Sequence, residues 1–103
     1  MVQKIIWSPE ALNNYLQILQ YLQEKWTDRE ALNFADRVDK KIAILERNPR
    51  LGSVKNKKLN IHKTTLHKKV ILIYKYKPRK KEIILLSFWN VQQDPKKMGK
   101  FQD

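Results

Sequence analysis

Lysine and histidine crowd the second half of the chain, and with Tyr74, Tyr76 and Arg79 they are the residues there that could do chemistry. Residues 55–103 hold 14 Lys/Arg against 3 Asp/Glu, whereas residues 1–54 hold 8 against 7. A folded segment with that balance repels itself unless acidic groups or ions lie against it. Its natural partners are phosphate backbones or a strongly acidic protein. His62 and His67 sit among these cations. An imidazole titrating near neutrality can take or give a proton. Tyr76 stands near a strand end, where its hydroxyl can reach solvent or a ligand. Trp89 either caps the core or offers a face for stacking.

Composition removes other chemistries. The chain has no cysteine, hence no disulfide frame, thiolate nucleophile or Cys-based zinc site. Two histidines do not fill a structural metal site by themselves, so no metal and no cofactor is expected. No apolar run approaches the roughly 20 residues that cross a membrane. The first residues turn polar too soon for a signal peptide, so a cytoplasmic location is expected. At 103 residues the chain is expected to be one domain, with its core in residues 2–98 and a tail at 99–103.

The positions of these side chains depend on the elements that carry them. Val2 to Trp7 has the branched and aromatic residues of a short strand. Ser8-Pro9-Glu10 then starts a helix: an N-cap, a proline suited to the first turn and a carboxylate near the positive end of the dipole. Leu12, Tyr15, Leu16, Leu19, Leu22 and Trp26 recur at spacings of three and four and predict its apolar stripe. Thr27 and Glu30 have capping-box spacing for a second helix, with Ala31, Phe34, Ala35, Val38, Ile42 and Leu45 inward. Asn48-Pro49-Arg50-Leu51-Gly52 ends it. The short break makes the pair an antiparallel hairpin. Glu10, Glu24, Asp36 and Asp39 fall on its wet sides and suggest no carboxylate dyad.

After Gly52 the period changes to two. Lys55 to Lys58 is expected to be a connector, Leu59 to Lys63 a short strand and Leu66 to Lys77 a long one. Val70, Leu72, Tyr74 and Tyr76 fall on one face of the long strand, and His67, Lys69, Ile71, Ile73 and Lys75 on the other. A turn at Pro78-Arg79-Lys80-Lys81 leads to a last strand, Glu82 to Trp89, paired antiparallel. A polar tail follows, with one helical turn after Pro95. The predicted fold is α+β, in the order β-α-α-β-β-β: an antiparallel sheet covered on one face by the helix hairpin. The open face would carry much of the charge between Lys55 and Arg79.

That order, with these residues, resembles the RelE/ParE superfamily of small bacterial toxins, over about residues 2–98. The resemblance is carried by Trp7-Ser8-Pro9-Glu10-Ala11 ahead of a Leu/Tyr helix, by Asn48-Pro49-Arg50-Leu51-Gly52, and by the strand ending Tyr74-Lys75-Tyr76. Phe88-Trp89-Asn90-Val91-Gln92-Gln93-Asp94-Pro95-Lys96-Lys97 is similar to the ending of one branch. The resemblance implies a toxin of a type II toxin–antitoxin system, of the plasmid-stabilisation kind, neutralised by a cognate antitoxin.

The RelE-like branch cuts messenger RNA on the ribosome and so blocks translation; the ParE-like branch inhibits DNA gyrase. The first is the leading expectation, with gyrase inhibition, or a decayed toxin that only binds an acidic antitoxin, as the alternatives. A metal-independent RNA cut needs a base for the 2′-hydroxyl, cations for the phosphorane and an acid for the leaving oxygen. The resemblance offers Lys68, Lys69, His62, Tyr76 and Gln92 as catalytic candidates. It offers Lys63, His67, Arg79, Lys96 and Lys97 as RNA- or phosphate-binding ones. Three positions depart from the branch pattern: His62 and Gln92 stand where arginine is common, and Lys68-Lys69 where a Lys-His pair is common. Gln92 donates hydrogen bonds but carries no charge, and neither Gln nor Lys grips phosphate as an arginine fork does. The lysines and histidines also have a plain reading as solvated sheet positions, and Tyr74 one as core. The antitoxin is expected to contribute an acidic segment, disordered when free.

Overall fold

The computed structural model describes residues 3–67 and 70–90. Strand β1 (Lys4–Trp7) stops at the Ser8-Pro9 signal. Helix α1 (Pro9–Lys25) starts as expected, with Ser8 in extended backbone and its Oγ accepting from the Ala11 amide at 3.0 Å. Helix α2 (Asp28–Arg47) is capped by Thr27, whose Oγ1 accepts from the Glu30 amide at 3.1 Å. Asn48 is its C-cap, and Pro49 cannot continue the helical ladder.

The remaining strands are β2 (Ser53–Asn56), β3 (Ile61–His67), β4 (Val70–Lys77) and β5 (Glu82–Asn90). They join β1 in one sheet of order β1-β5-β4-β3-β2. The fold is the expected α+β arrangement with one more short strand. Part of the stretch predicted as a connector is β2, at the sheet edge. Lysine there blunts edge-to-edge aggregation, which is why a strand can read as a basic loop. Strand β3 runs past Lys63 because Thr64 and Thr65 pair with Leu72 and Ile71. Their branched side chains suit a half-buried sheet.

Neighbouring strands are antiparallel except β1 and β5, which run parallel with Lys4 beside Glu82 and Trp7 beside Leu85. The sheet is therefore mixed rather than wholly antiparallel. Parallel neighbours need a long crossover, and the hairpin followed by the β2–β5 meander supplies it.

The helices cover one face, where Ala11, Ile18, Phe34, Val38 and Leu45 meet Leu72, Tyr74, Ile83, Leu85 and Phe88. On α1, Tyr15, Leu19 and Leu22 of the predicted stripe pack against the core, joined by the buried Ala11 and Ile18. Leu12 and Leu16 are 48% and 54% exposed. Trp26 is 66% exposed as well, so Leu12, Leu16 and Trp26 are the members of the predicted stripe that the core does not take. Trp7 stacks on Phe88 at 5.4 Å and meets the Tyr15 edge at 5.3 Å, closing the core beneath α1.

Strand β5 bulges at Leu86, since Ile73 pairs with Ser87 and Tyr74 with Leu85. Helix α1 holds the bulge. Ser8 Oγ donates to the Leu86 carbonyl at 3.1 Å. Asn14 Oδ1 accepts from Ser87 Oγ at 2.9 Å and from the Phe88 amide at 3.2 Å. Ser8 therefore serves both a helix end and a sheet irregularity, whereas Thr27 serves a helix end alone. Thr27→Ala is expected to cost about 1 kcal/mol and Ser8→Ala about 2 kcal/mol. Urea denaturation checks this, and equal losses would show that the Leu86 bond adds nothing.

Candidate functional site

The loop from α2 to β2 crosses the end of the sheet and is fastened there by a buried polar node. Tyr74 projects from β4 toward the helices and is fully buried. Its hydroxyl donates to the Pro49 carbonyl at 2.9 Å and accepts from the Gly52 amide at 2.9 Å. His62, directly across on β3, stacks on the Tyr74 ring at 5.3 Å with an 11° tilt. Its Nδ1 meets the Gly52 carbonyl at 3.1 Å and its Nε2 meets Asn60 Oδ1 at 3.2 Å. Gly52 leaves no room for a side chain: a Cβ there would stand 2.5 Å from the Lys63 carbonyl oxygen and 2.9 Å from the Tyr74 hydroxyl.

This placement corrects the expected exposure of His62. The alternation of β3 left it open to solvent, but it is 1% exposed and both ring nitrogens are engaged. The loop that lies over it is the reason. Tyr76 lies half-buried on the helix side, in contact with the core. The Arg50 guanidinium sits 5.2 Å from its ring centroid, a cation–π contact. Arg50 was not among the sequence candidates. Its only signal was its place in the Asn48–Gly52 turn.

The opposite face is a mixture of isoleucine and lysine rather than a continuous cationic field. By register, Lys63 lies beside Ile73, Thr65 beside Ile71 and Lys75 beside Ile84. At its β2 end is a pocket of about 300 Å³ lined by Leu51, Gly52, Ser53, Lys63, Thr64, Thr65 and Ile71. His67 is exposed at one end of β4, beside Val70, and Arg79 is exposed in the turn at the other end. Eight residues separate the strand's ends, about 23 Å at a strand rise of about 3.3 Å. His67 and Arg79 therefore do not meet. Lys68, Lys69, Gln92, Lys96 and Lys97, with the helical turn expected after Pro95, lie outside the described residues. Among the described residues, no helix is long and apolar enough to cross a membrane.

The family model for the ParE toxin of type II toxin–antitoxin systems, parDE, matches residues 5–95. The chain belongs to the ParE toxin family. Its fold is also that of solved RelE/ParE structures. The chromosomal ParDE toxin–antitoxin system from P. aeruginosa is similar at TM-score 0.70 and 14% identity, over 86% of this chain and 96% of that one. The toxin–antitoxin complex RelBE2 from Mycobacterium tuberculosis is similar at 0.60 and 14%, over 87% and 99%. A mutant of E. coli toxin RelE in the free state is similar at 0.62 and 15%, over 92% and 90%. No curated protein sequence matches the chain.

The node makes this ParE-family fold sensitive at two positions. Tyr74→Phe leaves the buried Gly52 amide and Pro49 carbonyl without their partner, an expected loss of about 1–3 kcal/mol. Gly52→Ala is expected to destabilise by a comparable amount through overpacking. Burial raises the Tyr74 pKa above its ordinary 10.0, opposed by the Gly52 amide. The folded protein therefore keeps this proton to higher pH than the unfolded chain does. The node's contribution is complete below about pH 10 and is lost as pH rises through the folded pKa. Urea midpoints measured across that range are expected to fall, and Tyr74→Phe to flatten the fall; an unchanged slope in the variant would remove Tyr74 as its source.

Proposed function

We propose that this type II toxin acts by binding, as a ParE-like inhibitor of DNA gyrase, and is neutralised by a cognate antitoxin with an acidic, partly disordered segment. The observation that carries this reading is the sealed state of His62. An RNA cut needs a base, an acid and a phosphate-gripping cation at one spot. Among the described residues, the histidine nearest the centre of the sheet is a packing and hydrogen-bonding group. The exposed histidine and the exposed turn arginine stand at opposite ends of β4. A gyrase inhibitor needs complementary surfaces instead, and the match to the ParE family supports that mode. The excess positive charge favours an acidic partner and makes its affinity depend on salt.

The test is a gyrase supercoiling assay with purified protein, run beside a ribosome-dependent messenger-cleavage assay read by primer extension. Supercoiling is expected to be inhibited while the messenger stays intact. Cuts that appear only with ribosomes, and vanish in Lys68→Ala/Lys69→Ala and in Tyr76→Phe, would overturn the gyrase assignment in favour of the ribosome-dependent endoribonuclease. Inactivity in both assays by a folded protein would leave antitoxin binding as its function.

A further inference from the structure

Two turns bring cations together at one end of the sheet. The turn at 57–60 joins β2 to β3, and the turn at 78–81 joins β4 to β5. Ile61 pairs with Lys75, and the Tyr76 amide donates to the Asn60 carbonyl at 3.0 Å. The turns therefore stand side by side, although β3 and β4 separate them in sequence. They are built alike. The Asn60 amide donates to the Lys57 carbonyl at 3.3 Å, and the Lys81 amide to the Pro78 carbonyl at 3.2 Å. Each ends on a left-handed residue, Asn60 at φ 58° and Lys81 at φ 55°. The Leu59 amide also donates to Asn56 Oδ1 at 3.0 Å, which pins the first turn. Lys57, Lys58, Arg79 and Lys80 are exposed on these turns, and Lys77 leads into the second from β4. Between Glu46 and Glu82 the chain has 13 Lys/Arg and no Asp/Glu, so this charge has no counterpart in its own part of the sequence.

We propose that the paired turns are a docking site for the phosphate backbone of double-helical DNA, held without regard to base sequence. The centres of the two turns are two strand spacings apart, about 10 Å. Duplex DNA carries one charge per about 1.7 Å of axis, so that span faces about six phosphates. Five side chains answer them: Lys57, Lys58, Lys77, Arg79 and Lys80. The hydrogen bonds within each turn fix the backbone from which these side chains reach, so less ordering is left to binding. A single strand is a poorer fit, because such sites stack bases on aromatic side chains. Among the described residues the exposed aromatics are Tyr21 and Trp26, on α1 and its C-cap, and the Tyr76 ring is taken by Arg50. An acidic protein is a poorer fit as well. Protein interfaces have an apolar centre, whereas Leu59 is the large apolar side chain exposed on these turns. A duplex of RNA offers the same phosphate chemistry, and the choice of DNA rests on the gyrase reading, since duplex DNA is what gyrase works on.

The experiment is a fluorescence-anisotropy titration of a labelled DNA duplex of about 20 base pairs with the full chain, between about 0.05 and 0.3 M salt. An RNA duplex, a DNA single strand and competing polyglutamate go beside it. Lys57→Gln/Lys58→Gln and Arg79→Gln/Lys80→Gln are each expected to lower the log–log salt slope by about 2 and to weaken binding at about 0.1 M salt more than tenfold. Arg29→Gln/Arg37→Gln removes the same charge from exposed positions on α2 and is expected to leave the slope within about 0.5. All six side chains are exposed, so an unchanged circular dichroism melt certifies each fold. The DNA duplex is expected to bind at least as tightly as the RNA duplex and several-fold more tightly than the single strand. No binding of duplex at the lowest salt, an unchanged slope in either turn variant, or an equal loss in the α2 variant would overturn the proposal. So would tighter binding of the RNA duplex, equal binding of the single strand, or polyglutamate displacing the duplex at equal charge concentration. None of these titrations contains gyrase, so a failed supercoiling assay and a failed turn site are separate results.

Discussion

A buried hydroxyl must find partners, and much of this molecule's working end is arranged around one that does. Tyr74 Oη would cost more than its ring contributes if the Pro49 carbonyl and Gly52 amide were not within hydrogen-bond reach. Meeting that demand draws the α2–β2 loop across the sheet. The loop in turn encloses His62, positions Arg50 over Tyr76 and delivers the chain to the edge as β2. Gly52 is the residue that permits the approach, because any side chain there would collide with both strands.

The helix starts were legible because capping is local chemistry. Ser8 with Pro9, and Thr27 with Glu30, announce themselves within three residues, and both caps form as read. The inward face of β4 was legible because Val70, Leu72 and Tyr74 alternate cleanly. The inward face of α1 was legible in part: Tyr15, Leu19 and Leu22 turn inward as read, but periodicity cannot choose between overlapping stripes, and Ala11 and Ile18 are buried where Leu12 and Leu16 were expected. The burial of His62 was not legible. Alternation along β3 places it on a face, but only the path of a loop ten residues earlier decides whether that face is wet.

The same limit applies to the candidate site. Residue types pointed to a basic sheet surface able to handle phosphate. Among the described residues, the register instead sets Lys63 and Lys75 beside isoleucines, and His67 and Arg79 stand at opposite ends of β4. A face of that kind pairs apolar side chains with positive charge along the same strands.

The parallel pairing of β1 with β5 has a consequence for the order in which the molecule can be built. Among the described residues, β1 has its only ladder partner in β5, more than 70 residues later in the chain. The helix hairpin can form while the chain is still emerging, but the sheet face it covers is completed only when residues near 90 are free. Contacts so distant along the chain close slowly, and until they do the apolar underside of the hairpin is exposed. The helix-covered face of the sheet is thus closed by a late, cooperative step rather than element by element.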